Sequence, residues 1–290
     1  MNWSLFHWVW RLEAPLHVGI PPSGSLDRCR LYVPDRNLWA ALTAELARRD
    51  MGESPKNLDI YREMGQNIRK SCRFSYLYPS EKLGRDWKAW LPCFEKGKGL
   101  CWRREDYGEP LQNRAFRSRL LDTRPCTAID PETDSATEGS LHETEIVNPW
   151  WRGSQGEKIG PVAMTGYLFC KDQDIYNQLC RVGVINVGGD TRYGLGKMVR
   201  VGVKKAESIF GYNVRLDRDN PQVYASEILA HLKANTNSNS ICGALESLVG
   251  WDVGAPRPMC DTPFWEPGSR LAREEWQEIQ DDGTWVVLKR

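Results

Sequence analysis

The sequence predicts an α+β protein whose core follows the ferredoxin-like order of strand, helix, insertions, strand, helix and strand. Three observations predict it: an alternating strand at 4–12, a helical pattern from Asp35, and a strand, helix, loop and strand in succession over 161–203. The RNA-recognition module uses the same βαββαβ arrangement. With 290 residues the chain can form one large or two small domains with a substantial core.

The first half of this core begins with SLFHWVWRL at 4–12, which places four large apolar residues on one face. This alternation predicts a strand in a sheet with one covered face. A loop rich in glycine and proline follows and carries His17, Asp27, Arg28 and Arg30. Apolar residues then recur at helical spacing, and Asp35, which follows a proline, is the predicted N-cap of this helix.

The overall composition excludes several classes of protein. The formal net charge is only +1, so any nucleic-acid surface must come from local clustering of cations. The nine cysteines form no CxxC pair and no Cys/His cluster at zinc spacing, and no metal site is predicted from them. Scattered thiols without a signal peptide indicate a cytoplasmic protein, and no apolar run is long enough for a membrane span.

Residues 52–110 are predicted to be an insertion rich in cations. Between Arg62 and Arg104 eleven Lys and Arg stand against four Asp and Glu. Five large aromatic residues are interleaved with them: Tyr76, Tyr78, Trp87, Trp90 and Trp102. Basic residues mixed with aromatic ones suit single-stranded nucleic acid, which needs phosphate neutralisation and stacking together. A solvated pair of strands with ordinary core aromatics fits the pattern as well.

The next segment separates positive from negative charge. LQNRAFRSRLLDTR carries four arginines: Arg114, Arg117, Arg119 and Arg124. The stretch from Asp130 to Glu145 then holds six acidic residues and no Lys or Arg. This polar stretch has few apolar residues, so it is predicted to protrude from the core as a loop.

A cluster of glycines marks the end of the core. It encloses one arginine and one tyrosine, in the order Gly188, Gly189, Arg192, Tyr193, Gly194 and Gly196. Clustered glycines indicate positive φ or a close approach to a bulky group, and the cations around them, which include Lys197 and Arg200, favour an anionic one. The order helix, loop, strand and the lack of a GK[ST] ending exclude dinucleotide and Walker loops. A tight turn without a ligand remains the alternative.

Residues 206–290 form a predicted C-terminal extension. We expect helices near Ala225–Ala234 and at Ser269–Gln280, a polar NTNSNS linker, and a strand at Thr284–Leu288. The segment at 261–282 is acidic, so the extension is predicted to contact another subunit and not nucleic acid.

Three motifs follow one another along the chain. LHVG leads through a loop to YVPDRNLWAAL, then TRPCTAIDPETDSATEGSLHETEIV occupies the middle, and NVGGDTRYGLGKM closes the core. In this order residues 4–205 resemble the RAMP superfamily of CRISPR-associated proteins, the RNA-binding subunits of type III effector complexes. The resemblance implies a ferredoxin-like core, a β-hairpin thumb at about 122–147 and a glycine-rich loop that contacts guide RNA. Asp35 departs from the glycine of many members, and RNLWAAL looks more like the subunits that cap the 5′ tag of the guide.

The resemblance implies a guide-RNA (crRNA) binding subunit of a type III CRISPR-Cas RNA-targeting effector complex, acting in antiviral defence. Its partners would be crRNA, target RNA and other effector subunits, and RNA binding itself would need no cofactor. The predicted RNA-binding residues are His17, Arg28, Arg30, Arg36, Arg114, Arg117, Arg119, Arg124, Gly188, Gly189, Arg192, Tyr193, Gly194, Gly196 and Lys197.

Three alternatives stay open. Asp27 stands near the position of a loop aspartate with which backbone subunits of the family cleave target RNA, so Mg²⁺ is implied if Asp27 is catalytic; Asp27 can equally be an ion-pair partner of neighbouring arginines. Family members that process precursor guide RNA without metal use a histidine, a role His17 would take unless it only orders its loop. In the third alternative the protein binds no RNA, and its glycine loop packs on a neighbouring subunit.

Overall fold

The computed structural model describes residues 2–52, 57–106, 108–234, 241–251, 258–260 and 263–288, with 249–251 and 258–260 as backbone only. The described chain is a mixed α+β structure in which strands predominate, so the predicted α+β class is confirmed. Its helices are Asp35–Met51 (α1), Leu58–Ser71 (α2), Asn113–Leu120 (α3) and Gln173–Arg181 (α4), with a 3-10 turn at Thr191–Tyr193.

The strands up to the end of the core are Ser4–Leu12 (β1), Leu26–Asp27 (β2), Cys72–Phe74 (β3), Tyr78–Leu83 (β4), Asp86–Glu95 (β5), Gly99–Arg104 (β6), Leu111–Gln112 (β7), Leu121–Cys126 (β8), Ile129–Asp130 (β9), Ser135–Ala136 (β10), His142–Val147 (β11), Trp150–Arg152 (β12), Lys158–Cys170 (β13), Val184–Asn186 (β14) and Lys197–Lys205 (β15). The predicted strand at 4–12 and the predicted succession of strand, helix, loop and strand over 161–203 are therefore present.

The C-terminal strands are Ser208–Ile209 (β16), Tyr212–Arg215 (β17), Gln222–Glu227 (β18), Leu232–Lys233 (β19), Ile241–Cys242 (β20), Leu245–Glu246 (β21), Val249–Trp251 (β22), Pro258–Cys260 (β23), Phe264–Trp265 (β24), Arg270–Ile279 (β25) and Trp285–Val287 (β26). Most of them join one sheet in the order β16-β17-β18-β25-β26-β19-β24-β21, with β20 on β25.

The central sheet has the order β14-β15-β1-β13-β4-β5-β6-β7, and β3 and β12 also pair with β13. β1 lies antiparallel between β13 and β15, with Ser4 opposite Cys170 and Phe6 opposite Lys205. α1, α2 and α4 contact one another and the strands beside them. On this helical side Phe6 stacks on Tyr176 of α4 at 4.0 Å between ring centroids.

Both faces of the central sheet are covered, so the prediction of one covered face was wrong. The second face of β1 carries His7 and Val9, which are also buried. Tyr167 lies opposite His7 on β13, and Phe210 packs against Tyr167 with ring centroids 4.9 Å apart. The C-terminal sheet thus covers the face of β1 that was predicted to be uncovered. The residues near β1 in sequence could not indicate this, because the covering layer lies about 200 residues further along the chain.

Asp35 is not the N-cap of α1. The N-cap is Pro34, without a side-chain cap, and Asp35 is the first helical residue and is buried. Its surroundings include Arg69, Arg73 and Asp282, and burial raises the pKa of its carboxyl to about 7. The turn after β25 packs closely on Asp35: a Cβ added to Gly283 would lie only 2.2 Å from the Asp35 Cβ.

Residues 57–106 contribute α2 to the helical layer and β3 to β6 to the central sheet. Of the five aromatic residues interleaved with cations, four are buried in the core and Trp87 is half-buried. Nearby arginines are paired: Arg62 with Asp59, and Arg104 with Glu81 and Asp106. The pattern therefore reflects core aromatics on strands with solvated edges, and not a row of stacking platforms.

Both helices predicted in the C-terminal extension are wrong. The first covers β18 and β19, and the second coincides with β25, whereas the predicted strand at 284–288 is present as β26. The run Ile228 to Leu232 is buried, and the Tyr78 hydroxyl donates to the Leu229 carbonyl at 2.8 Å. Tertiary contacts on both sides therefore override the helical preference of an Ala- and Leu-rich segment. The NTNSNS linker lies outside the described residues.

The predicted protruding segment is a hairpin of β8 and β11, with Leu121 opposite Val147 and Cys126 opposite His142. β9 and β10 form a small ladder at its tip, where Ile129 and Leu141 are exposed. None of the helices in the described part of the chain is long and apolar enough to span a membrane.

Candidate nucleic-acid interface

The glycine loop connects β14 to β15 and has unusual backbone angles. Gly188, Gly194 and Gly196 have φ of +88°, +84° and +79°, and Asp190, which precedes the 3-10 turn, has φ of +54°. Side chains are strongly disfavoured at such angles, and aspartate tolerates them better than most residues. Gly189 is different: its φ is not in this region, and it is close to His17 instead.

The loop packs backbone to backbone on residues 15–17. The Gly189 N–H donates to the His17 carbonyl at 2.9 Å, and the Gly196 N–H donates to the Pro15 carbonyl at 2.7 Å. A Cβ on Gly188 would lie 2.1 Å from the His17 carbonyl oxygen, which no side chain can tolerate. The glycines at 188 and 196 therefore serve the fold of the loop, whereas a Cβ on Gly194 would meet no atom within 4 Å.

His17 lies where this loop meets the β8–β11 hairpin. The residue is buried, and its Nδ1 lies 2.7 Å from the Glu145 carbonyl oxygen. Leu16 and Val147 form an antiparallel bridge beside it. The contact of the His17 ring therefore joins the 15–30 loop to β11.

Glu145 joins the hairpin to the other two segments. Its carboxylate accepts both bonds from Arg117 Nη2, at 2.7 and 2.8 Å, and a further bond from the Cys29 N–H at 2.8 Å. The strand β2 pairs parallel with β11, which places Asp27 opposite Thr144. Cys29 itself is a packing residue, since burial raises the pKa of its thiol to about 12. Sequence analysis missed Glu145, which appeared there only as one of six acidic residues in a predicted loop.

The predicted cations divide into two groups. Arg30, Arg117 and Arg119 are held by acidic partners: Glu246, Glu145 and Glu81 respectively. Arg119 also lies over the Trp151 ring, 4.9 Å from its centroid, and Arg36 is half-buried in α1. The exposed cations are Arg28, Arg114, Arg124, Arg192 and Lys197.

The glycine loop, the 15–30 loop and the β8–β11 hairpin meet at one junction, which carries exposed groups. Arg124 of the hairpin donates to the Tyr193 carbonyl at 3.3 Å, which joins β8 to the glycine loop. The Tyr193 side chain is 73% exposed, and a free aromatic face beside arginines can stack on a base. Exposed carboxylates on the same segments include Asp27, Glu143 and Asp190. The junction therefore combines exposed cations, an exposed aromatic ring and a backbone surface without side chains at Gly194.

The surroundings of Asp27 bear on the predicted magnesium ion. Within the described residues there is no group of three or more His, Cys, Asp and Glu side chains able to hold a metal ion. Magnesium is commonly held by one or two carboxylates together with substrate phosphates and water. Asp27 fits this role only if RNA phosphates supply the remaining ligands.

Comparison with known proteins connects this architecture to solved structures. No protein-family model matches the sequence, and no curated protein matches it. A chain in the structure of type III-B Cmr-beta bound to cognate target RNA and AMPPnP is similar with a TM-score of 0.56 and 11% identity, over 92% of this chain and 85% of that one. A chain of type III-B Cmr-beta bound to cognate target RNA gives 0.54 and 10%, over 91% and 86%. The resemblance to type III RAMP subunits is thereby confirmed at the level of the fold.

Proposed function

We propose that this protein is a guide-RNA (crRNA) binding subunit of a type III CRISPR-Cas RNA-targeting effector complex. One observation carries the proposal: the glycine loop, the 15–30 loop and the β8–β11 hairpin meet at one junction that exposes cations, backbone and an aromatic ring. The shared fold supports it, because the two similar structures reported above are of type III-B Cmr-beta bound to cognate target RNA. Partners would be crRNA, target RNA and other effector subunits.

The junction suits RNA of any sequence. A guide-binding subunit must accept every spacer, so its contacts should go to phosphates and sugars more than to base edges. Flexible exposed arginines and lysine supply phosphate contacts, and Tyr193 supplies a stacking surface that tolerates every base. The β8–β11 hairpin begins at the same junction. As the predicted thumb, it would contact the guide RNA or a neighbouring subunit.

The core itself supports the ferredoxin-like assignment. The strands β15, β1, β13 and β3 lie side by side, and α1 and α4 follow β1 and β13 in the chain. We therefore propose a ferredoxin-like core for residues 1–205, with 206–290 as an extension that covers the second face of the sheet.

A target-RNA cleaving subunit is the second candidate, and the exposure of Asp27 favours it. Asp27 lies on β2 beside the junction, within reach of RNA bound there, whereas His17 is buried and held by a backbone carbonyl. Addition of Mg²⁺ or EDTA to labelled target RNA in the assembled complex separates the two candidates. A magnesium-dependent cut that Asp27→Ala abolishes supports cleavage by this subunit, whereas cuts that the variant leaves unchanged, or intact RNA in both conditions, support binding alone.

The test of the main proposal is copurification. The protein, expressed with a tag in cells that carry a type III CRISPR locus, should retain small RNAs of uniform 5′ sequence together with other subunits. Recovery of the protein without RNA, while the other subunits copurify, would identify an assembly subunit and reject the proposal.

A further inference from the structure

A buried polar cluster lies between the 15–30 loop and the C-terminal sheet. Arg30 Nη1 donates to Glu246 Oε2 at 2.6 Å, and the Tyr32 hydroxyl donates to Glu246 Oε1 at 3.0 Å. His231 bonds the same carboxylate through Nε2, and its Nδ1 lies 2.6 Å from the Tyr76 hydroxyl oxygen. The cluster therefore joins residues of the core loop and of β21 that stand 216 positions apart in the chain.

The charges in this cluster compensate one another. Burial alone would raise the pKa of Glu246, but the hydrogen bond from His231 and the charge of Arg30 outweigh it and lower that pKa. Burial lowers the pKa of His231, which favours a neutral ring that donates to Glu246 through Nε2 and accepts from Tyr76 through Nδ1. The cluster is then one anion and one cation in contact, with neutral groups that satisfy the remaining oxygen sites.

Both the side chain and the backbone of Arg30 are held in place. Its side chain is 7% exposed, and its backbone N–H donates to the Val18 carbonyl at 2.7 Å. Cys29, the residue before it, bonds Glu145, and Arg28 accepts a backbone bond from Ile20 at 3.1 Å. Removing one partner of such a buried pair leaves an uncompensated charge, which is strongly destabilising. The loop is therefore fixed to the C-terminal sheet on one side and to the hairpin on the other.

We propose that the C-terminal sheet positions the 15–30 loop for RNA through the ion pair of Glu246 and Arg30. In this arrangement Arg30 is an anchor that touches no phosphate, and the exposed Arg28 two positions before it is the cation presented to RNA. The role in RNA binding rests on the proposed function, whereas the positioning of the loop does not. The alternative is that Arg30 leaves Glu246 when RNA binds and contacts a phosphate itself.

Hydrogen exchange of the free protein tests the positioning without RNA. Glu246→Gln removes the charge and keeps the shape of the side chain, so the amides of Ile20 and Arg30 should exchange at least about tenfold faster. Arg30→Met/Glu246→Gln removes both charges and should restore protection to within about threefold of the parent, because no unpaired charge remains. Asp59→Asn, which breaks the exposed pair with Arg62 on α2, is the matched control and should change neither amide.

Two results would overturn the positioning. One is that Glu246→Gln behaves like Asp59→Asn at residues 15–30. The other is that exchange rises equally in β1 and β13, which would make the pair a general stabiliser of the fold. If Glu246→Gln does not fold, Arg30→Met takes its place, since Glu246 then keeps His231 and Tyr32 as partners; the loop amides should still exchange faster than those of β1.

The salt dependence of RNA binding shows whether Arg30 is an anchor or a phosphate ligand. With single-stranded RNA of mixed sequence, Arg28→Met should lower the slope of log K against log salt by about 0.7, the value of one lost phosphate contact. Arg30→Met should lower affinity several-fold and leave the slope of the parent unchanged. A slope lowered by Arg30→Met as much as by Arg28→Met would show that Arg30 binds phosphate and would refute the anchor. If the parent binds no RNA, the proposed function fails while the exchange result still decides the positioning.

Discussion

The packing of the glycine loop on His17 gives the sharpest prediction, because two glycines with the same φ have different surroundings. Gly188 and Gly194 have φ of +88° and +84°. A Cβ on Gly188 would lie 2.1 Å from the His17 carbonyl oxygen, whereas a Cβ on Gly194 would meet nothing within 4 Å. Substitution of each by alanine therefore introduces the same backbone strain, and only Gly188→Ala adds a collision.

The magnitude follows from these two parts. An alanine at such a φ costs about 1 kcal/mol, and this is the whole cost expected for Gly194→Ala. In Gly188→Ala the chain must also move by about 1 Å to reach a normal contact, which breaks the bond from the Gly189 N–H to the His17 carbonyl. The lost bond and the disturbed packing add about 2 kcal/mol. We therefore expect Gly188→Ala to lower the free energy of unfolding by about 3 kcal/mol.

The free energy of unfolding of both variants and the parent can be measured by urea denaturation, with equal slopes of the transition as the control for comparable unfolding. Hydrogen exchange at the Gly189 amide locates the damage. Equal losses for the two variants, or an unchanged Gly189 amide in Gly188→Ala, would refute the packing of the glycine loop on residues 15–17.

Three further predictions address charge and chemistry. Burial raises the pKa of Asp35 from 3.8 to about 7. The stability that its protonated carboxyl contributes is therefore fully present below pH 3.8 and is lost as pH rises through about 7. The parent should lose up to about 4 kcal/mol of stability relative to Asp35→Asn between pH 4 and pH 8, measured by denaturation at each pH. Arg192→Ala should lower the salt slope of RNA binding by about 0.7, whereas Arg119→Ala, which leaves Glu81 with Arg104 alone and uncovers Trp151, should lower the melting temperature and leave the slope unchanged. Asp27→Ala in the assembled complex should leave the pattern of RNA cuts untouched and should not weaken RNA binding, because it removes an exposed carboxylate that holds no arginine among the described residues; loss of one magnesium-dependent product with binding preserved would assign cleavage to Asp27.

Local patterns in the sequence were sufficient for the elements that carry the core. Alternation predicted β1 and β13, helical spacing predicted α1 and α4, and the glycine cluster predicted a loop with positive φ. Each of these signals comes from residues within about ten positions, which is the range over which periodicity acts.

The extension could not be predicted in this way. Residues 228–232 are all buried, so this run has no exposed polar positions whose period distinguishes a helix from buried extended chain. A second face of the central sheet is likewise covered by residues distant in the chain. The two predicted helices failed for this reason.

The contacts that build the junction could not be predicted either, because the residues that bond one another there are far apart in sequence. Glu145 bonds Arg117 and Cys29 across 28 and 116 positions. The sequence placed Arg30, Arg117 and Arg119 with Arg192 as candidate phosphate ligands, since a carboxylate that will neutralise an arginine is not visible until the chain is folded. The structure thereby separates held arginines from exposed ones, and the predictions on the salt slope depend on this separation.

The salt dependence of RNA retention tests the central claim most directly. The purified protein is titrated with labelled single-stranded RNA at several salt concentrations in a filter-binding assay. If all five exposed cations, Arg28, Arg114, Arg124, Arg192 and Lys197, contact phosphates, log K should fall linearly with log salt with a slope of about −3.5, and RNAs of different sequence should give the same slope. Absence of retention at low salt, or a slope near zero, would contradict the claim that this junction binds RNA.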